Sequence, residues 1–271
     1  MRGRVLVIAG SDSGGGAGIQ ADIKTITALG GFAATALTAL TAQNTVGVFG
    51  VHPVPVAFIR QQIAVVMEDI GADVIKTGML GDAATIEAVC AALSEYARDV
   101  PLVLDPVMVA KGGQALLAGD AVGILRSRLL PLARVITPNL PEAEALSGMV
   151  IGSVADMRLA AGALLALGVP AVLLKGGHLP GDELVDLLAT PDGIEAFSSQ
   201  RIATRHTHGT GCTTASAVAA GLAQGMSLRD AVIRARAYVR AAIASAPGFG
   251  KGHGPLDHAV TFDPSRLAAG A

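Results

Sequence analysis

The chain has 271 residues, of which 51% are hydrophobic and 15% charged, and its formal net charge is −2. This net charge does not indicate the basic surface that binds nucleic acid. The longest apolar stretch, residues 159–174, contains two glycines and a proline, so it predicts a helix, a turn and a strand rather than a span of roughly 20 residues. Two distant cysteines without CxxC spacing indicate neither a disulfide nor zinc. We therefore expect a soluble, cytoplasmic protein with no membrane or nucleic-acid partner.

Apolar strands alternate with helical segments along the chain. The predicted strands cover residues 5–10, 73–78, 101–106, 133–138 and 171–177. The predicted helices cover residues 17–30, 57–70, 82–97, 153–167, 213–225 and 227–245, the last opened by Ser227 as N-cap. Strands without polar alternation that are separated by helices predict a parallel sheet covered on both faces. Because there is no linker or repeat, residues 1–271 are expected to form one α/β domain.

The residues that follow the predicted strands are the first candidates for a site, because ligands of such sheets bind beyond the carboxyl ends of the strands. They are Ser11–Asp12, Gly78–Met79, Asp105, Asn139 and Gly176–Gly177.

The glycine cluster SDSGGGAGIQAD, residues 11–22, follows the first strand. Residues 16–21 fit the dinucleotide pattern G-x-G-x-x-A, but residues 36–44 lack the acidic residue that would bind a ribose. The cluster therefore disfavours an NAD-dependent oxidoreductase. It is equally typical of a loop that lets a small substrate approach the backbone, with Asp22 one turn into the helix, or of a tight strand–helix turn.

The stretch HTHGTGCTTASAVAAGL, residues 206–222, places a cysteine behind Gly-Thr-Gly. If a helix begins near Cys212, the N–H groups of residues 209–212 converge and form an anion site. The helix dipole is expected to lower the thiol pKa from about 8.5 toward neutral, so that Cys212 could act as a nucleophile or a general base. A buried structural cysteine is the alternative. His206 and His208 also allow a Cys–His hydrolase, although residues so close in sequence need not face the thiol.

Two further clusters are compatible with phosphate chemistry. In TPNLPEAEAL, residues 137–146, Asn139 and Glu142 are three apart and could hold a hydrated Mg²⁺, or could only cap a helix. Lys175 ends a strand and could hold phosphate, or could simply be solvated. No GxxxxGK[ST] loop is present. Together the clusters favour a nucleotide kinase site built without a P-loop.

These motifs together resemble the ribokinase-like superfamily and, within it, the hydroxymethylpyrimidine phosphate kinases of thiamine biosynthesis. The motifs IAGSDSGGGAGIQADIKT, TALTAQNT, KTGML, LDPVM, VITPNLPEAE, LLKGGH, THGTGC and GKGHGP occur in that family's order over nearly the whole chain. The resemblance implies a three-layer αβα sandwich with a mostly parallel sheet. It also implies ATP and Mg²⁺ as cofactors, a pyrimidine alcohol and its monophosphate as acceptors, and a homodimer.

The resemblance further implies a role for each site residue. The catalytic set comprises Gly209, Thr210 and Gly211 as the anion hole and Cys212 as the base. The acceptor pocket comprises Gln43, Asp22, Met79, Gly10, Ala17 and Val107, with Gln43 on the aminopyrimidine edge. The ATP set comprises Lys175, Asn139, Thr137, Gly209 and Gly211, and the Mg²⁺ set comprises Glu142, Asn139 and Asp105. Residues 250–255 would lie near the nucleotide base.

A pyridoxal or pyridoxine kinase is the alternative within the same superfamily. Some pyridoxal kinases of this branch carry a second cysteine after the DPVM strand, where this chain has Ala110. That difference favours the pyrimidine kinase. A nucleotide-bound sensor without activity is the alternative of another class, and the presence of Cys212, Glu142 and Lys175 argues against it.

Overall fold

The centre of the molecule is an eight-stranded sheet, described here from a computed structural model covering residues 2–109, 113–114, 116–119 and 121–262. The strand order is β10-β9-β8-β7-β6-β5-β1-β2. Its strands are β1 (Arg4–Ala9), β2 (Phe32–Leu37), β5 (Val74–Thr77), β6 (Leu102–Leu104), β7 (Ala133–Ile136), β8 (Val172–Leu174), β9 (Glu183–Thr190) and β10 (Gly193–Gln200). Neighbouring strands pair in parallel from β2 through β1, β5, β6 and β7 to β8. Strands β9 and β10 extend the sheet beyond β8 in antiparallel pairing. A separate hairpin consists of β3 (Ala39–Gln43) and β4 (Val48–Pro53).

Helices cover both faces of this sheet. They are α1 (Gly18–Ala28), α2 (Val56–Asp69), α3 (Ala83–Tyr96), α4 (Ala121–Ile124), α5 (Leu140–Ser147), α6 (Val154–Leu165), α7 (Thr210–Ala223) and α8 (Leu228–Ala244). One buried cluster lies under α1, α7 and α8, and the other under α2 to α6. The chain is therefore an α/β protein with a mostly parallel central sheet between two helical layers, as the sequence predicted.

The predicted elements all occur, with ends shifted by a few residues. The Ser227 cap of α8 is confirmed, since its hydroxyl accepts a hydrogen bond from the N–H of Asp230. The sequence did not predict β2, the β3–β4 hairpin, the β9–β10 hairpin or the irregular helical segment 121–132.

Among the described residues, no helix is both long and apolar enough to cross a bilayer.

Candidate active site

A cavity of about 800 Å³ opens at the carboxyl ends of the parallel strands. It collects residues that lie at strand ends across the sheet, as the doubly wound architecture requires. Thirteen of the predicted site residues line it: Gly10, Ala17, Gln43, Met79, Asp105, Val107, Asn139, Glu142, Lys175, Gly209, Thr210, Gly211 and Cys212. The structure thus brings the predicted anion site and the predicted acceptor and metal residues into one cavity.

Two predicted site residues do not line the cavity. Asp22 is fully buried below it, where its carboxylate accepts hydrogen bonds from Lys76 and Ser216. Thr137 is also fully buried, and its hydroxyl donates to Oδ1 of Asp105 at 3.1 Å. Neither side chain is exposed to the cavity in this structure, and the predicted contacts of Asp22 with the acceptor and of Thr137 with ATP stay predictions. Both residues support side chains that do line the cavity.

The predicted anion site lies at the start of α7. Gly209 is the N-cap in the left-handed region, at φ 83°, and a Cβ at this position would lie 1.8 Å from the carbonyl oxygen of Gly16. Only glycine permits both the dihedral angle and this close approach. The two glycine loops therefore interlock through their backbones.

The N–H groups of the first helical turn are not all equivalent. The N–H of Thr210 lies 3.3 Å from the carbonyl of Thr207, which also accepts from the Thr210 hydroxyl at 2.8 Å. The first intrahelical bond runs from Thr213 to the carbonyl of Gly209. The geometry therefore leaves Gly211 and Cys212 as the first-turn donors best placed to bind an anion.

The thiol of Cys212 lies at the base of this anion site. Burial, with the nearby carboxylates of Asp22 and Asp105, raises the pKa of Cys212 to about 12, although the Lys76 ammonium and a backbone hydrogen bond from Gly18 act in the opposite direction. The prediction that the helix N-terminus brings this pKa toward neutral is wrong for the protein alone. Loss of hydration outweighs the helix dipole because the half-buried thiol lies deep in the cavity beside the Asp22 and Asp105 carboxylates.

A buried ion pair supports the floor of the cavity. Nζ of Lys76 lies 2.9 and 3.0 Å from the two carboxylate oxygens of Asp22, and the side chains of both residues are fully buried. Ser216, one turn after Cys212 on α7, donates to Asp22 at 2.6 Å. Burial alone would lower the pKa of Lys76, but the negative charge of Asp22 and its neighbours raises it, so the ammonium stays protonated.

A second charged cluster lies beside the anion site. Nζ of Lys175 is 3.3 Å from Oδ1 of Asp105, and burial competes with the charges of Asp105 and Glu142 to leave the Lys175 pKa raised. A Cβ on Gly211 would lie 3.3 Å from the same Nζ. Lys175 thus brings positive charge directly to the helix N-terminus. This is the arrangement that a transferring phosphoryl group requires.

Asn139 and Glu142 form a capping box at the start of α5. Oδ1 of Asn139 accepts from the N–H of Glu142 at 2.9 Å, and Oε2 of Glu142 accepts from the N–H of Asn139 at 2.8 Å. Burial raises the pKa of Glu142 to about 7, in spite of the Lys175 charge. The capping alternative is therefore confirmed, and the Glu142 carboxylate also accepts a backbone hydrogen bond from Met108.

The donor set at this place fits a hydrated Mg²⁺. Oδ2 of Asp105 is buried without a hydrogen-bond partner, and Glu142 lines the same part of the cavity. No three His, Cys, Asp or Glu side chains cluster into a metal cage within the part of the chain that is described. Mg²⁺ does not need such a cage, because one or two carboxylates plus phosphate oxygens and water complete its shell.

The opposite side of the cavity contains a polar network that sequence reasoning missed. Oδ2 of Asp12 lies 2.8 Å from Nε2 of His208, and it also accepts from the N–H groups of Gly16 and Ala17. Burial would raise the pKa of Asp12, but its hydrogen bonds with His208 and the loop backbone lower it overall. Nε2 of His208 is also 3.3 Å from the side-chain nitrogen of Gln43. His208 therefore binds Asp12, an arrangement that gives no support to a Cys–His dyad.

Comparison with known proteins places the chain in a family. Residues 12–257 match the family model described as phosphomethylpyrimidine kinase. This chain belongs to that family. The chain is 49% identical to the hydroxymethylpyrimidine/phosphomethylpyrimidine kinase of Bacillus subtilis over 94% of each chain. It is 54% identical to the thiamine biosynthesis bifunctional protein ThiED of Geobacter sulfurreducens over 98% of this chain, but spans only 54% of that protein.

A solved structure confirms the ribokinase-like fold of the family. The ADP complex of Bacillus subtilis pyridoxal kinase superposes with a TM-score of 0.89 and 40% sequence identity, covering 96% of this chain and 98% of that one. Kinases for two different vitamin precursors therefore share this architecture. The choice between their acceptors depends on the residues that line the cavity.

The GKGHGP motif contacts both the cavity and the β3–β4 hairpin. In the GKGHGP motif, residues 250–255, His253 lines the cavity, while Gly250 and Gly252 pack against Thr45 at the turn of the β3–β4 hairpin. The predicted proximity of this motif to a nucleotide base stays a prediction. Ala110 lies outside the described residues.

The sequence around Lys76 and around Asp12 contains patterns from which their buried contacts could have been predicted. A lysine inside the apolar strand VIKT is unusual, because an unpaired buried ammonium is costly and so implies a buried carboxylate. An aspartate that precedes three glycines can accept hydrogen bonds from their N–H groups. His208 gave no comparable signal, since its partner lies 196 residues away.

Proposed function

We propose that the protein transfers a phosphoryl group from ATP to 4-amino-5-hydroxymethyl-2-methylpyrimidine and then to its monophosphate, for thiamine diphosphate synthesis. The observation that carries the proposal is the convergence of the α7 N-terminus, Lys175 and Asp105 opposite Gln43 in one cavity of a phosphomethylpyrimidine kinase fold. Phosphoryl transfer depends mainly on positioning and charge stabilisation, which this cavity provides. The continuous sheet from β10 to β2 supports a single kinase domain.

The acceptor ring would bind beside the glycine loop. Gly10 and Ala17 offer backbone without bulky side chains, and Met79 and Val107 offer apolar surface. Gln43 adds an amide that can both donate to a ring nitrogen and accept from an amino group. This combination suits a flat, uncharged aminopyrimidine better than a sugar.

The donor phosphates would lie between the start of α7 and Lys175. The first-turn N–H groups of Gly211 and Cys212 bind developing negative charge, and the Lys175 ammonium neutralises it. Asp105 and Glu142, with Asn139 fixing the latter, would hold Mg²⁺, which supplies charge neutralisation at the phosphates when bound. ADP in the complex of the related pyridoxal kinase supports ATP as donor, and ATP as donor favours the cytoplasm.

Cys212 would accept the proton of the acceptor hydroxyl. Its pKa of about 12 makes the thiolate rare at neutral pH but strongly basic once formed. In a loose transition state the acceptor hydroxyl loses its proton late, so a small population of thiolate suffices. We therefore expect kcat to increase with pH above neutrality.

A pyridoxal kinase is the second candidate, since the related structure with a TM-score of 0.89 has that activity. The deciding experiment is ADP release with Mg-ATP and four separate acceptors: hydroxymethylpyrimidine, its monophosphate, pyridoxal and pyridoxine. Turnover of the monophosphate supports the thiamine-pathway function, because a pyridoxal kinase has no second phosphorylation to perform. Turnover confined to pyridoxal and pyridoxine would overturn it.

Replacing Cys212 tests the proposed base. Cys212→Ala should lower kcat by about 10²–10⁴-fold and change KM by less than about threefold, because the thiol acts on the transferred proton rather than on the ring. The matched control is Cys90→Ala, which removes the second free thiol, buried on α3, and should leave kcat unchanged. An unaltered kcat in Cys212→Ala would remove the base assignment.

A further inference from the structure

The side-chain amide of Gln43 has two polar neighbours. Its nitrogen lies 3.3 Å from Nε2 of His208, and its oxygen lies 3.3 Å from the hydroxyl of Thr41. That hydroxyl is 2.8 Å from the carbonyl of Ser11, which can only accept. The single hydroxyl proton therefore goes to Ser11, and Thr41 is left to accept from Gln43.

The position of the ring proton on His208 follows in the same way from the shortest contact of the ring. Oδ2 of Asp12 lies 2.8 Å from Nε2, and an ionised carboxylate can only accept, so Nε2 carries a proton. An amide nitrogen facing this N–H would place two donors together. Rotation of the amide by 180° exchanges its two atoms, so that its oxygen shares at 3.3 Å the single N–H that points to Asp12 and its NH₂ donates to Thr41. Gln43 then turns its oxygen toward His208 and its NH₂ toward Thr41.

The ring of His208 is itself held on several sides. Its backbone N–H donates to the carbonyl of Gly254 at 3.1 Å, and a Cβ on Gly16 would come within 2.6 Å of ring atom Cδ2. Asp12 is fixed in turn, because it accepts backbone hydrogen bonds from Gly14, Gly16 and Ala17 and is 2% exposed. The donor that faces Gln43 is therefore rigid.

We propose that His208, held by Asp12, is a positioning residue that fixes the Gln43 amide in one orientation and thereby decides which way round the acceptor ring binds. This inference rests on the proposed function. The aminopyrimidine carries a ring nitrogen beside an amino group, and its hydroxymethyl group is on the next carbon. An amide that presents oxygen on one side and N–H on the other accepts that edge in one direction only. That direction determines whether the hydroxyl faces the start of α7.

A double-mutant cycle separates this role from simple support of the loop. In the wild-type background, His208→Leu should lower kcat/KM for hydroxymethylpyrimidine by about tenfold or more. In the Gln43→Ala background the same change should cost less than about twofold, because His208 acts through the amide. His208→Gln, whose amide nitrogen can reach the place of Nε2, should recover activity to within about threefold of wild type.

Each outcome has a defined meaning. Equal losses in both backgrounds, or no recovery by His208→Gln, would overturn the positioning role and leave His208 as loop support. If His208→Leu does not fold, His208→Asn replaces it in the cycle, since its amide is too short to reach Gln43. If the wild type phosphorylates pyridoxal but not the pyrimidine, the proposed function fails. The cycle is then run with pyridoxal, where additivity would overturn the positioning role independently.

Discussion

At the scale of single residues, the site depends on charges that are buried together. Lys76 is fully buried, where it pairs with the carboxylate of Asp22 and its charge acts on the thiol of Cys212. An ammonium without a partner in such a place would lose its proton, so Asp22 is what keeps the charge available. The sequence assigned Asp22 to the substrate, whereas its contact is with the lysine beneath the cavity.

The thiol of Cys212 should respond unequally to the loss of its two charged neighbours. Its pKa of about 12 predicts slow alkylation by iodoacetamide at pH 7, with the rate increasing tenfold per pH unit up to about pH 10. Lys76→Met removes the charge that favours the thiolate and should slow alkylation at pH 9. Asp22→Asn removes a charge that opposes the thiolate, but it also leaves the Lys76 ammonium without its partner, so alkylation should change less than in Lys76→Met.

The measurement is made in a Cys90→Ala background, because burial raises the pKa of that thiol to about 11 and it would react in the same range. Equal changes in both variants would mean that access to the thiol, rather than charge, controls the rate. A pH-independent rate would contradict the high pKa itself.

At the scale of elements, backbone contacts between loops decide the geometry of the anion site. Gly209→Ala places a Cβ against the carbonyl of Gly16 in addition to requiring a left-handed alanine. Gly148 has a similar φ of 75° at the end of α5, but a Cβ there meets nothing within 4 Å. Gly148→Ala should cost about 1–2 kcal/mol from the dihedral angle alone.

Gly209→Ala should therefore cost clearly more stability than Gly148→Ala in urea unfolding, and only Gly209→Ala should abolish kinase activity. Equal losses of stability would mean that the two glycine loops are free to separate. Retained activity in Gly209→Ala would show that the interlocked backbone is not needed for phosphoryl transfer.

The capping box of α5 separates a structural role of Glu142 from its proposed role at Mg²⁺. The pKa of Glu142 is raised from 4.5 to about 7, so the folded chain binds this proton more tightly than the unfolded chain. Its contribution to stability is present below pH 4.5 and is lost as the pH rises through about 7. Glu142→Gln removes the titration but keeps an acceptor for the N–H of Asn139.

Glu142→Gln should thus flatten the decline of unfolding free energy between these pH values and should raise the Mg²⁺ concentration needed for half-maximal activity. Glu142→Ala additionally loses the acceptor for the N–H of Asn139 and should be destabilised by about 1 kcal/mol. An unchanged Mg²⁺ requirement in both variants would exclude Glu142 from the proposed metal site.

Sequence periodicity predicted the elements that bury one continuous apolar face. It failed for β2, whose sequence FAATAL has small residues and no alternation, and for the β3–β4 hairpin, which stands apart from the main sheet. The β9–β10 hairpin had a signal, since TPDG at 190–193 is a turn sequence between two strand-like runs. The motifs located most of the cavity, but buried pairs such as Lys76–Asp22 depend on contacts between distant segments and could not be read from local pattern.

At the scale of the whole molecule, the separate β3–β4 hairpin exposes apolar side chains. Phe49 is 71% exposed, Leu40 45% and Val51 43%. Apolar surface of this kind supports the proposed homodimer, with a second copy covering the hairpin. Phe49→Asp should weaken self-association by at least about tenfold, measured by analytical ultracentrifugation.

The control for that measurement is Val150→Asp, since Val150 is 87% exposed but lies between α5 and α6, away from the hairpin. It should leave association unchanged. A wild-type protein that sediments as a monomer at all concentrations would contradict the dimer.

The contact between Asp12 and His208 joins segments 196 residues apart. During synthesis, the glycine loop leaves the ribosome long before His208, so its contact with that residue forms only when nearly the whole chain has emerged. Residues 253 and 254, which hold the hairpin turn and His208, arrive later still. A ligand of this cavity will therefore bind the finished protein and not its nascent intermediates. It should act as a stabiliser of the final folding step alone.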